Sequence, residues 1–347
     1  MDTYIVMPCL NEAAQLAQTC ASLGFPGERD AETHLVLVDN GSEDQTLEVM
    51  RGIRAACDPQ TVHILEEPRR GYVPARSAGP TYLASSGLAS PSALLLQADA
   101  DTVYLPGYVR QMKHEAWQRG RGHLFEAAAV TAAEFRRKYL VFDELCRAID
   151  AEMSTWAVRD EDDVVVDDKV SGFFLADYFD WGGHFVERMQ TGEELLAEST
   201  RLFILAKQAR GARKVKVAAM ALPSRRKLAT QAVAYFASAG FPRGPKWNAQ
   251  WSDEACGSAA DFLENPQGSP CIAAAASSRR RHLLALFGLL PLLVDGSSVC
   301  RAELREFRLS LPAQPAATAL ERVLTLADDE DGSLHRFVAQ HPGSQPL

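Results

Sequence analysis

Along the first hundred residues, short, largely apolar runs alternate with longer stretches in which apolar residues recur every three or four positions. The runs are Tyr4-Ile5-Val6-Met7, Leu35-Val36-Leu37-Val38, Thr61-Val62-His63-Ile64-Leu65 and Ala93-Leu94-Leu95-Leu96. Between them, Leu16, Cys20 and Leu23, and later Leu47, Ile53 and Cys57, keep helical spacing. Apolar runs bounded by polar turns predict buried strands, and their alternation with helical periodicity predicts βαβ units and a parallel sheet. The expected fold class is α/β, with a mostly parallel central sheet flanked by helices. Ligands of such sheets bind beyond the carboxyl ends of the strands. Asn11, Asp39 and Asp99 all fall at such ends, so three polar positions converge on one edge.

A later apolar stretch, Leu283 to Val294, follows Arg279-Arg280-Arg281-His282 and is broken by Gly288 and Pro291. It is too short to span a hydrocarbon core, which needs about 20 residues as helix. Two readings remain: a buried helix, or peripheral contact of segment 279–294 with an anionic membrane surface. The Ser-, Gly- and acid-rich stretch 248–270 and the end around His341-Pro342-Gly343 are expected to be the least ordered.

Composition narrows the class. With 347 residues, 47% of them hydrophobic, the chain can form one large domain or two smaller ones. A formal net charge of -9 argues against a general nucleic-acid binder. Seven cysteines (9, 20, 57, 146, 256, 271 and 300) are scattered, with no C-x-x-C pair, which reads as free thiols rather than a disulfide framework or a zinc site. The first strand begins at once, which leaves no room for a signal peptide. A cytoplasmic protein is expected, with the inner face of the membrane as its one alternative location.

Asp99-Ala100-Asp101 follows the fourth run after Gln97-Ala98. If the strand continues through it, period-two side chains place both carboxylates at one rim. Carboxylates that close repel each other, and a hard divalent ion such as Mg²⁺ or Mn²⁺ offsets the repulsion while keeping positions open for phosphate oxygens. The plainer reading is a solvated turn that ends the strand.

The ordered set Pro8-x-x-Asn11-Glu12, Val38-Asp39-Asn40-Gly41-Ser42, Gly71 with Ala75-Arg76, and Asp99-x-Asp101 resembles the nucleotide-binding half of GT-A fold, family 2 glycosyltransferases over roughly residues 3–110. Ser171-Gly172-Phe173-Phe174, Gly182-Gly183-His184-Phe185 and Gly192-Glu193-Glu194-Leu195 resemble the acceptor-side segment down to Arg201, and Ser224-Arg225-Arg226 has a counterpart in some members. The resemblance implies a Rossmann-like GT-A domain over 1–227, divided into a nucleotide-sugar half (1–110) and an acceptor-side half (111–227). A mostly helical C-terminal region is expected over 228–347.

The implied activity is hexosyl transfer (EC 2.4) from a UDP- or GDP-sugar to an acceptor hydroxyl, metal-assisted, by inverting single displacement. Pro8, Asn11, Glu12, Asp39, Gly71, Arg76 and Asp99 would bind the donor, and Asp101 and Asp99 the Mn²⁺ or Mg²⁺. Asp39 would meet the base, against a local reading as a turn carboxylate, and Asp44 would cap the following helix. Arg76, with Arg69 or Arg70, suits bidentate contact to the diphosphate. The general base is expected at Glu194, then Glu193, as a pair that begins a helix; Glu stands where members have Asp, moving the carboxylate outward by ~1.5 Å. Acids in a first turn also serve the helix dipole.

Other candidates have plainer readings. His184 reads first as a hydrogen-bonded loop histidine, with acceptor contact or completion of the metal shell as its alternatives. Asp160-Glu161-Asp162-Asp163 with Asp167-Asp168 reads as a solvated acidic loop. Trp156, Trp181 and Trp247 read as core before sugar platforms. Ser224-Arg225-Arg226 is either a closing loop or a basic helix start. Two alternative functions stand beside the transferase: a sugar nucleotidyltransferase, against which Pro8-Cys9-Leu10-Asn11-Glu12 replaces the glycine-rich phosphate loop, and a non-catalytic nucleotide-sugar-binding module.

Overall fold

The computed structural model describes residues 1–27, 29–296, 301–314, 316–329 and 332–341. The chain divides into two compact units, the first comprising 1–131, 166–186 and 198–224, the second 132–165, 187–197 and 225–347.

The first unit is built on one eight-stranded sheet: β1 Thr3–Cys9, β2 Thr33–Asp39, β3 Val62–Glu66, β4 Leu94–Gln97, β5 Thr102–Tyr104, β6 His123–Ala129, β7 Ser171–Phe174 and β8 Arg213–Pro223. Their order across the sheet is β3-β2-β1-β4-β7-β6-β8-β5. The four strands expected from the apolar runs are β1 to β4, and they pair in parallel, with Ile5 opposite both Leu35 and Leu96. Beyond β4 the sheet is mixed, since β7 runs antiparallel to both β4 and β6. Ile5, Met7, Leu35, Leu37, Leu94 and Leu96 join Leu16 and Cys20 of α1 (Leu16–Ser22) and Met50 and Ile53 of α2 (Thr46–Ala55) in the main core. The helix α3 (Tyr72–Ser85) lies so near β1 that a Cβ at Gly79 would stand 2.4 Å from Val6 Cγ1, so glycine is what permits the approach. This unit also holds α4 (Tyr108–Arg119), α7 (Leu175–Asp180) and α8 (Glu198–Arg210), whereas α5 (Ala133–Lys138), α6 (Leu140–Ser154) and α9 (Arg226–Ala237) belong to the second.

Two features of the topology locate a ligand edge. Successive strands run outward from β1 through β2 to β3, and then β4 inserts on the other side of β1, so the chain reverses direction between β1 and β4. A crevice at such a reversal is where open α/β sheets bind ligands. The chain then leaves β4 at Gln97 and re-enters the sheet at β5, four strand positions away. Four spacings of a flat sheet cover about 19 Å, whereas this connection spans ~17 Å at full extension. Because residues 100–101 form a turn, the sheet must curl to let β5 pair with β8.

The second unit is helical in α5, α6 and α9 and in the helices that follow. Phe142, Phe236 and Phe262 pack against one another at its centre with tilted and edge-to-face rings. Leu284, Leu286, Leu289, Leu290 and Leu292 are buried here, Arg279 pairs with Asp150, Arg280 with Glu152, and Arg281 donates to the Ala327 carbonyl. The stretch 279–294 therefore forms core, and its arginines are committed to protein partners. No helix among the described residues is long and apolar enough to cross a membrane.

Two expectations fail in this unit. Cys256 and Cys271 form a disulfide, while Cys9, Cys20, Cys57 and Cys146 are free and Cys300 lies outside the described residues. The segment 248–270 is not loose: it contains short helices at Asp253–Cys256 and Ala259–Glu264, the second capped by the Ser258 hydroxyl. Residues 342 and 343 lie outside the described residues, so the expectation for the chain end meets no structure there.

Candidate functional site

The acidic pair is not a strand terminus. β4 stops at Gln97, and Asp99-Ala100-Asp101 forms the turn into β5, so period-two alternation does not govern where these side chains lie. The turn is instead pinned at every residue. Asp99 N–H donates to Tyr104 Oη (3.1 Å), whose own hydroxyl donates to the Lys169 carbonyl (2.9 Å). The Thr19 hydroxyl donates to the Ala100 carbonyl (2.9 Å), and Ser224 N–H to the Asp101 carbonyl (3.0 Å). Tyr104 is fully buried, so the turn is held from below by a rigid core residue.

Behind the turn lies a charge cluster on four elements of the first unit. Arg76 of α3 donates from Nη2 to Asp99 Oδ1 (2.8 Å) and from Nε to Glu198 Oε1 (2.7 Å), and Asp168 Oδ2 stands 3.7 Å from Nη2. Nη1 is buried with no protein partner among the described residues. Burial opposes the charge on Arg76, but Asp168, Asp99 and Glu198 more than offset it, so its pKa lies above the ordinary value. Burial, reinforced by Glu198, pushes the Asp168 carboxyl up to about 7. The expectation of a solvated loop at Asp167-Asp168 therefore fails for Asp168. Asp160 and Glu161 are exposed, as expected of such a run, but Asp163 is buried. Three carboxyls share one guanidinium, and Asp101 adds a fourth acid two residues from Asp99.

The loops after β1, β2 and β3 are tied into one polar web. Asn11, in the left-handed conformation (φ 57) that asparagine tolerates, accepts from Glu43 N–H (2.8 Å), and its own N–H donates to the Ser42 hydroxyl (3.1 Å). Glu12 N–H donates to the Thr46 hydroxyl (2.7 Å). Asp39, at the end of β2, is 5% exposed and accepts from Gly41 and Ser42 N–H. Asn40 donates to the Glu67 and Arg69 carbonyls and accepts from Gly71 N–H, placing Gly71 (φ 139), a conformation open to glycine, at the start of α3. Pro8 lies in β1 opposite Val38. Asp44 accepts from Thr46 N–H, but the cap position of α2 is Gln45, so Asp44 lies one residue ahead of the place expected for it. Arg69 is paired with Glu67, and Arg70 with Glu43.

The acceptor-side candidates lie in loops rather than at a helix start. Glu193 and Glu194 do not begin a helix: Glu194 forms a bridge with Arg188 in the loop 187–197 of the second unit, and α8 starts at Glu198. Their first-turn dipole reading falls with the helix. A Cβ added to Gly244 of the same unit would meet Glu193 Oε1, so that carboxylate packs on the Gly244 backbone. His184 is buried in the first unit with Nε2 3.1 Å from the Ser199 hydroxyl, and burial, then Arg76, pulls its pKa down to about 3. Trp156 and Trp181 are core, and Trp247 stacks on Trp251 and under Arg243.

Sequence reasoning does not reach Glu198, assigns Asp168 to a solvated loop and gives Asn40 no role beyond its turn. Each had a signal: Glu198 opens the last helix before a strand, and Asn40 sits inside a recognised turn. For Asp168 the sign is its place between the apolar Val164-Val165-Val166 and Val170. The chemistry at 99–101 suits a divalent cation, because carboxylates are hard oxygen ligands. Among the described residues no group of three or more His, Cys, Asp and Glu forms a metal cluster.

Residues 4–122 match the family model described as Glycosyl transferase family 2, so the resemblance read from Pro8 to Asp101 is shown over that span. No curated protein sequence matches the chain. Among solved structures, S. aureus TarS 1-349 in complex with UDP is similar at 12% identity and TM-score 0.48, covering 99% of this chain and 93% of that one. The mannosyltransferase PcManGT from Pyrobaculum calidifontis, in complex with GDP-Man and Mn2+, is similar at 19% identity and TM-score 0.46, covering 94% and 85%.

Proposed function

We propose that this chain, whose residues 4–122 match glycosyl transferase family 2, is a glycosyltransferase (EC 2.4) that moves a hexose from a UDP- or GDP-sugar to an acceptor hydroxyl. The observation that carries this reading is the pinned Asp99–Asp101 turn beside the β1/β4 reversal, backed by an acidic cluster around one buried arginine. Asp39 faces the base, Pro8, Asn11, Glu12 and Gly71 shape the loops around the nucleotide, and Arg76 braces Asp99 from behind the turn. Asp101 and Asp99 hold Mn²⁺ or Mg²⁺, which when bound withdraws charge from the leaving diphosphate. Glu194, or else Glu193, takes the acceptor hydroxyl proton as that oxygen attacks the anomeric carbon from the opposite face, inverting it. The acceptor–carbon bond forms as the carbon–diphosphate bond breaks, and the leaving group departs as nucleoside diphosphate.

The test is incubation with UDP- and GDP-sugars, Mn²⁺ and no acceptor. A transferase releases nucleoside diphosphate slowly, with water replacing the acceptor. A nucleotidyltransferase requires pyrophosphate or a triphosphate, and a binding module releases nothing in either condition.

A further inference from the structure

Glu198 sits at the first residue of α8, 4% exposed, with Oε1 2.7 Å from Arg76 Nε. The same guanidinium reaches Asp99 through Nη2 at 2.8 Å. Guanidinium is planar and rigid, so fixing Nε fixes the direction in which Nη2 donates. Of the three acids around Arg76, Glu198 is the deepest and Asp99 the shallowest, with side-chain exposures of 4% and 31% and Asp168 between them at 21%. A buried acid thus anchors one end of a rigid bar whose other end holds the carboxylate at the rim. Glu198 is too deep, and too fully committed to Arg76, to touch a substrate.

We infer that Glu198 is a positioning residue for Asp99, acting through Arg76 to fix the orientation of the rim carboxylate toward a metal-bound nucleoside diphosphate. This rests on the donor site proposed above. Partners that orient a ligating carboxylate raise metal affinity without contacting the ion. Helix α8 and the β4–β5 turn, 99 residues apart in sequence, are thereby coupled through one side chain.

The test is titration of the full chain with MnCl₂ in the presence of UDP and, separately, GDP, with free Mn²⁺ followed by electron paramagnetic resonance. Glu198→Gln is expected to weaken Mn²⁺ binding about tenfold or more. Glu198→Asp, which keeps the charge, is expected to recover part of that loss. Adding Glu198→Gln to Asp99→Asn is expected to change the remaining affinity by less than about twofold, since residues that act as one unit are non-additive. A merely structural role for Glu198 would not give that dependence on residue 99. The inference is overturned if Glu198→Gln binds as wild type does, or if it costs the same factor in both backgrounds. Asp101→Asn separates the failures. If wild type binds no Mn²⁺ with either nucleotide, the donor site and the inference fall together; if Asp101→Asn abolishes binding and Glu198→Gln binds as wild type does, the inference alone falls. Should circular dichroism show Glu198→Gln unfolded, Arg76→Met/Glu198→Met removes the pair together and is held to the same comparisons with and without Asp99→Asn.

Discussion

Arg76 Nη2 donates to Asp99 Oδ1 at 2.8 Å, joining a helix that packs on β1 to the turn that leaves β4. The two sides of the β1/β4 reversal are therefore locked by an ion pair whose arginine is almost wholly buried.

That burial sets the cost of breaking it. Arg76→Met leaves Glu198 as a buried charge without its partner, and one-sided removal of a buried pair costs about 3–5 kcal/mol. Arg76→Met/Glu198→Met is expected to be the more stable of the two variants. Urea unfolding of both checks this, and a single variant as stable as the double would contradict it.

Gly79→Val is expected to destabilise the first unit by about 1–3 kcal/mol, because its side chain must occupy the space of Val6. The urea midpoint should fall while the slope is unchanged.

Stability should also fall in acid because of the buried histidines. His282 is held neutral: burial and then Arg243 pull its pKa down to about 3, with Nδ1–H donating to the Ser278 carbonyl and Arg243 donating to Nε2. The unfolded chain gains a proton as pH falls through about 6.5. The folded chain does not until about pH 3, so stability declines across that window. Asp168 works in the opposite sense: its folded pKa of about 7 means stability declines as pH rises from about 4 toward 7. Melting curves from pH 4 to 7 should show His282→Asn flattening the acid-side decline and Asp168→Asn flattening the other.

Glu194→Gln is expected to slow acceptor-free release of nucleoside diphosphate by about 10²–10⁴ while leaving Mn²⁺-dependent nucleotide binding near wild type. Glu193→Gln should have the smaller effect. Full turnover in both variants would remove the base from loop 187–197.

Much of this was legible in sequence. The first four strands and their parallel pairing follow from apolar runs buried on both faces, as in β1, where only Pro8 is partly exposed. The rest depended on contacts between distant residues. No local pattern shows that Asp99 leaves the strand to meet Arg76, since that position is set by the curl that brings β5 to β8. Glu193-Glu194 carried the more conspicuous helix-start pattern, yet Glu198 begins the helix. The disulfide likewise joins Cys256 and Cys271 across a segment whose composition suggested looseness.

The central claim is that the Asp99–Asp101 turn binds a nucleoside diphosphate together with a divalent cation. The most direct measurement is the thermal shift of wild type and Asp101→Ala with UDP- and GDP-sugars, with and without MnCl₂. A ligand at a hundred times its dissociation constant adds ~2.7 kcal/mol of apparent stability, enough for a clear shift. The account predicts a shift in wild type that grows with Mn²⁺, and in Asp101→Ala the loss of the Mn²⁺-dependent part. An Asp101→Ala protein that responds to nucleotide-sugar and Mn²⁺ as wild type does would contradict it.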